Sequence, residues 1–160
     1  MDAGFRNNNS RTAETTVSAE KNKQVIQAFI DDVINQGRLS RADDLVLENF
    51  VELDPLPGQQ QGREGLKEVI AVLRSAFPDI HWVVDEMIAE GDKVCTRFTW
   101  SGTHRGVFLG IPATGKHVTV KGVVIDLLAD GRMSESRILM DTLGMMQQLG
   151  AIPPPPPASD

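Results

Sequence analysis

Apolar residues Val25, Ile26, Phe29, Ile30, Val33 and Ile34 recur at helical spacing near the start of the chain. A 3.6-residue period gathers them on one face, so the pattern predicts an amphipathic helix that Ser18 can cap and Gly37 can end. A short helix is expected next, with Ser40 as its cap and Leu45 and Val46 facing inward. From Arg63 to Ala76 a second stripe (Leu66, Val69, Ile70, Leu73, then Phe77) predicts a third helix. Pro78 stops it, because proline lacks the N–H a helix needs and clashes with the preceding turn.

Beyond Pro78 the period changes to that of strands. Residues 80–89 are rich in branched and aromatic types, Glu90-Gly91-Asp92 is a turn signal, and Val94 to Ser101 alternates as a second strand. Residues 117–128 predict a third strand, Asp130-Gly131 a hairpin turn, and 132–140 the returning strand. Thr142 to Leu149 reads as a short closing helix before Gly150. Helices followed by a meander of long antiparallel strands define an α+β domain. Met1 to Val17, polar and containing Asn7-Asn8-Asn9, reads as a disordered leader. The run Pro153 to Pro157 predicts an extended or polyproline II tail, so the domain is expected over 18–152 and the Pro-rich tail over 153–160.

Bulk properties narrow the function classes. A chain of 160 residues suits one domain with a real core. A formal charge of -6, with no Lys/Arg cluster, argues against a nucleic-acid partner. Cys95 is the only cysteine, which rules out an intrachain disulfide. No run is apolar enough to span a bilayer, and Met1 to Val17 has no signal-type stretch, so no membrane partner and a cytoplasmic location are expected. The three histidines and one cysteine show no HxxxH or CxxC spacing, so no metal site is expected, and no Gly-rich phosphate loop follows a strand.

The segment Gly102-Thr103-His104-Arg105-Gly106-Val107-Phe108-Leu109-Gly110-Ile111-Pro112-Ala113-Thr114-Gly115-Lys116 resembles the GTHxGxFxGIPPTGK connection of SnoaL-like polyketide cyclases, members of the NTF2-like superfamily. Asp130-Gly131-Arg132 is similar to that family's DGKI turn, and Asp141 to Gly150 to its DxLGxxQQLG end. The likeness covers roughly Asn22 to Pro153. It implies a cone: a curved antiparallel sheet whose concave face is covered by helices, leaving a deep pocket. It also implies a polycyclic or terpenoid, natural-product-like ligand, a homodimer, and acid/base chemistry with no metal or organic cofactor. The physical demand of such chemistry is a carboxyl in an apolar cavity, where desolvation raises its pKa toward neutrality.

The sequence departs from the family where the chemistry is expected. Where the resemblance places a catalytic Asp on the last strand stands Ile138, where it places His stands Ser136, and on the preceding strand Val124 replaces a further His. Arg97 fits the arginine of the limonene epoxide hydrolase branch, but the acid two residues on is Thr99 and the second is again Ile138. If position 124 faces the pocket, period-2 alternation puts Gly122 and Asp126 there too. Asp126, between Ile125 and Leu127, is therefore the first choice for a relocated general acid/base, against a solvated strand end or a pair with Arg97. Arg97 either binds an enolate or carboxylate oxygen on the concave face or forms a structural pair with a carboxylate such as Asp126 or Glu86. His104 either shuttles protons or braces the long loop, while His81 and His117 are expected at the surface. Trp82, Trp100, Val124, Ser136, Ile138 and Met140 are expected to line the substrate site, and Asp141 to cap the last helix.

Three readings stay open on these residues. The first is a cofactor-free cyclase or isomerase using Asp126 with His104 and Arg97, with a hydroxylase-like variant beside it. The second is a binding module that kept the pocket and lost catalysis. The third is an interaction protein that uses its exposed sheet face.

Overall fold

The computed structural model describes residues 8–153. Helix α1 (Asn8–Ala28) runs on into a π-helical segment, Phe29–Asn35. The wider π turn brings Phe29, Ile30, Val33 and Ile34 to the core together. Gly37 lies just past its end with φ 69°, the left-handed conformation in which glycine carries no Cβ penalty. The helix starts well before Ser18, which lies inside it and caps nothing, because no Gly or Pro interrupts the stretch from Asn8. The leader expected over 1–17 is thus helical from Asn8; Met1 to Asn7 lie outside the described residues, as does the Pro-rich tail beyond Pro153.

A 3₁₀ turn (Leu39–Arg41) leads into α2 (Ala42–Leu45), and no side chain caps either, so Ser40 sits within the turn. Leu45 and Val46 are buried, as their pattern predicts. Next comes β1 (Val46–Glu52), a strand the sequence pattern does not announce. Helix α3 (Gly62–Ala76) ends at Phe77, one residue before Pro78. Strands β2 (His81–Glu90), β3 (Lys93–Thr103), β4 (His117–Ala129) and β5 (Arg132–Met140) follow, then α4 (Thr142–Leu149). Asp141 caps α4 by accepting from Gly144 N–H at 2.8 Å. Asp130 (φ 51°) and Gly131 (φ 71°) form the tight turn between β4 and β5.

The sheet order is β1-β5-β4-β3-β2, with β1 parallel to β5 and the remaining pairs antiparallel. Bulges between Val84 and Glu86 and between Leu127 and Leu128 bend the strands. Gly122 adds curvature on the inner face: a Cβ there would lie 2.5 Å from the Phe98 ring and 2.8 Å from the Leu139 carbonyl. Helix α1 packs over β2, β3 and β5, and α3 over β1. Phe50, Phe77, Phe98, Trp100, Val118 and Val120 are fully buried in the core. Each such burial contributes roughly 1.5–3 kcal/mol.

Both sheet edges are held by side-chain amides. On β2, Asn35 accepts from Trp82 N–H at 2.7 Å and donates to its carbonyl at 3.0 Å. On β1, Gln61 accepts from Glu52 N–H at 3.1 Å and donates to its carbonyl at 3.2 Å.

Candidate active site

Helices cover the bent sheet without filling it, and a cavity of about 140 Å³ remains between the two layers. Ile26, Phe29 and Ile30 come from the first helix, and Leu66, Ile70 and Leu73 from α3. The facing wall is the inner surface of β4 and β5. There the register pairs Gly122 with Met140, Val124 with Ile138, and Asp126 with Ser136. The six residues expected at the substrate site, Trp82, Trp100, Val124, Ser136, Ile138 and Met140, all line this cavity.

Asp126 also faces the cavity. It is 2 % exposed, and the Ser136 hydroxyl donates to its Oδ1. Its other carboxylate oxygen has no hydrogen-bond partner among the described residues. Loss of hydration raises its pKa from 3.8 to about 7, the Ser136 hydrogen bond lowers it, and the charge of Glu52 raises it further. A carboxyl poised near neutrality can take a proton from a substrate and give it back.

Glu52 is the residue that sequence reasoning misses. It lies on β1 opposite Ser136 of β5, so Glu52, Ser136 and Asp126 form one row across three adjacent strands. Glu52 is 7 % exposed and lines the same cavity. Burial is the main cause that raises its pKa, with the nearby Asp54 charge adding to it, while backbone donors at Asp54 and Leu53 oppose it. The only trace in the sequence is the spacing of Phe50 and Glu52, two apart on a strand whose partner lies far along the chain.

Two expected catalytic residues lie elsewhere. Arg97 is on the outer face of β3, because alternation turns Thr96, Phe98 and Trp100 inward. Its side chain is 55 % exposed, 3.8 Å from Asp85 and 3.6 Å from Glu86, so the pair with Glu86 forms and the pair with Asp126 does not. His104 is fully buried but does not line the cavity. Its ring stacks on Phe77 at 5.1 Å, and its Nδ1 lies 3.1 Å from the Thr114 hydroxyl and 3.3 Å from the Thr114 N–H. Its backbone bonds Lys116 and Gly115, at 2.8 Å each. The histidine therefore closes the base of the 104–116 loop, the bracing alternative. That loop in turn lends Phe108 and Leu109 to the cavity. His81 and His117 are exposed at the starts of their strands. No group of three His, Cys, Asp or Glu able to hold a metal occurs among the described residues. No described helix is long and apolar enough to cross a membrane.

A curved, unclosed sheet roofed by helices around an apolar cavity defines a pocket domain of the NTF2-like class. A family model described as SnoaL-like polyketide cyclase matches residues 24–149. The chain belongs to the SnoaL-like polyketide cyclase family. It is 28 % identical over 139 residues to the aklanonic acid methyl ester cyclase DnrD of Streptomyces peucetius, a match covering 84 % of this chain and 91 % of that one. Among solved structures it is similar to TsrD from Streptomyces laurentii, with 32 % identity, a TM-score of 0.77, and 83 % and 97 % of the two chains covered. AclR from Streptomyces galilaeus, a hydroxylase candidate, is 23 % identical with a TM-score of 0.75 over 87 % of each chain, and shares the fold.

Proposed function

We propose that the protein is a cofactor-independent cyclase or isomerase that acts on an apolar, polyketide-type small molecule, with Asp126 as its general acid/base. The observation that carries this reading is a carboxyl raised to about 7 on the wall of an otherwise apolar cavity. Ionised Asp126 takes a proton from a carbon next to a substrate carbonyl, and the electron pair moves onto the carbonyl oxygen as an enolate. The enolate carbon attacks a second carbonyl of the same molecule and closes a ring. Protonated Asp126 then returns its proton to the new alkoxide, so atoms balance and the carboxylate is regenerated. Ser136 is a positioning residue here, since its hydroxyl fixes the carboxyl against β5. Trp82 and Trp100 offer flat surfaces for a ring system.

The test is turnover of aklanonic acid methyl ester, the substrate in the name of the Streptomyces peucetius relative, followed by chromatography of a product of unchanged mass. Asp126→Asn is expected to lower the rate by roughly 10²- to 10⁴-fold. Full turnover in that variant would remove Asp126 from its role. A second reading, a binding module, is favoured by the apolar Val124 and Ile138 at positions where the family resemblance places His and Asp. It predicts that ring compounds are retained and recovered unchanged. Cytoplasmic residence and a homodimer belong to the same proposal. Val123, Ile125 and Leu139, exposed on the outer sheet face, support a dimer, and light scattering of the purified chain tests it.

A further inference from the structure

The charged residues that line the cavity are all of one sign. Glu52, Asp54 and Asp126 are there, and no Lys, Arg or His joins them. The remaining lining is apolar except for Gln59, Ser136 and Thr142. Glu52 and Asp126 flank Ser136 on neighbouring strands, and strand spacing is about 4.8 Å. Both are more than nine-tenths buried, and neither forms an ion pair among the described residues. Asp126 keeps one oxygen without a partner, and Glu52 is met only by backbone N–H groups, those of Asp54 at 3.3 Å and of Leu53. Asp54 has Arg137 at 3.9 Å, but that guanidinium is 59 % exposed and outside the cavity lining.

A buried site of this kind has a sign. Any negative charge in it is poorly screened, because apolar walls surround it and solvent reaches it little. A ligand that brings a second negative charge meets repulsion and also loses its own hydration. A ligand that brings a positive charge meets the reverse. We propose that Glu52 makes this pocket selective by charge, so that it takes an apolar ring system bearing a protonated amine ahead of the neutral ester and excludes the carboxylate. Asp126 is the one carboxyl that the proposed chemistry requires. Glu52 adds a buried carboxyl on the far side of Ser136, met by backbone N–H groups and by no ion pair.

This inference rests on the reading of the cavity as the ligand site, and the experiment separates the two. Three probes of one shape, 2-naphthylmethylammonium, methyl 2-naphthoate and 2-naphthoate, are titrated by calorimetry into the full chain at pH 7.5. The expected order of affinity is ammonium, then ester, then carboxylate, with roughly tenfold or more between the ends. Glu52→Gln is expected to narrow that spread by tightening the carboxylate and weakening the ammonium. The same titrations on the unaltered protein from pH 8 to pH 5.5 give an answer that no variant has to fold for. As Asp126 takes up its proton, with Glu52 and Asp54 the other acids in the lining, the spread is expected to shrink. Three equal affinities, or a spread that neither Glu52→Gln nor acid changes, would overturn the charge selection and leave the cavity as a ligand site. No binding by any of the three would overturn both.

Discussion

Asp126→Asn should change stability in a direction that reverses with pH. A pKa raised from 3.8 to about 7 means that the folded protein holds a proton the unfolded chain has already released over that interval. Stability therefore falls as pH climbs from about 4 to about 7, and levels off above. Ionising Asp126 in place costs the folded state on the order of 4 kcal/mol above pH 7. Asparagine has the same shape and no charge, so it escapes that cost, but its buried amide lacks partners at a cost of about 1–3 kcal/mol. The variant should therefore be less stable than the parent at pH 4 and more stable at pH 8, by about 1–3 kcal/mol in each case. At roughly 2–4 °C per kcal/mol for a chain of this length, the melting curves measured by circular dichroism should cross between those pH values. Part of the difference is the repulsion between Glu52 and ionised Asp126, which the variant lacks. If the two stability curves run parallel from pH 4 to pH 8, the Asp126 carboxyl is not raised, and the case for it as a neutral-pH acid/base falls with it.

Ser136→Ala removes the one group that lowers the Asp126 pKa, so the midpoint for Asp126 should move up. Carbon-13 NMR of the carboxyl reads this, and a midpoint that falls would show that the hydroxyl is not donating. Arg97→Ala should change stability by less than about 0.5 kcal/mol and leave turnover intact, because the residue holds only exposed, long ion pairs on the outer face. A tenfold loss of turnover would return it to the site. His104→Ala should cost about 2–4 kcal/mol in urea unfolding, through loss of the Phe77 stack and the Thr114 bond at the base of the loop.

Most of the architecture was legible because its elements carry local signals. The helical stripe of 63–76 with Pro78 behind it, and the turns at Gly91 and Asp130-Gly131, mark boundaries that the structure reproduces to within a residue or so. β1 was not legible, since a strand paired in parallel to a distant partner has no hairpin turn to announce it, and Glu52 was lost with it. Asp126 could be placed because alternation along β4 fixes its face. The same alternation along β3, with Phe98 and Trp100 inward, already sends Arg97 outward, so its own strand contradicts the role that resemblance suggests. The place of His104 depends on how a long loop closes on itself, and neither period nor spacing encodes that.

The two carboxamides at the sheet margins also bear on how this protein stays out of trouble. An open strand margin is a template for another chain, and β2 has apolar residues Val83 and Ile88 exposed along its length. Asn35 and Gln61 each occupy both pairing groups of one backbone residue, Trp82 and Glu52, as a visiting strand would. Each therefore acts as a one-residue plug against strand addition, and each plug sits on a residue of the cavity wall. Asn35→Leu would keep the bulk and lose the plug, leaving a margin open to fibrous self-association beside the cavity. The side chains that guard the two margins thus also hold the backbone of two residues of the cavity wall, Trp82 and Glu52.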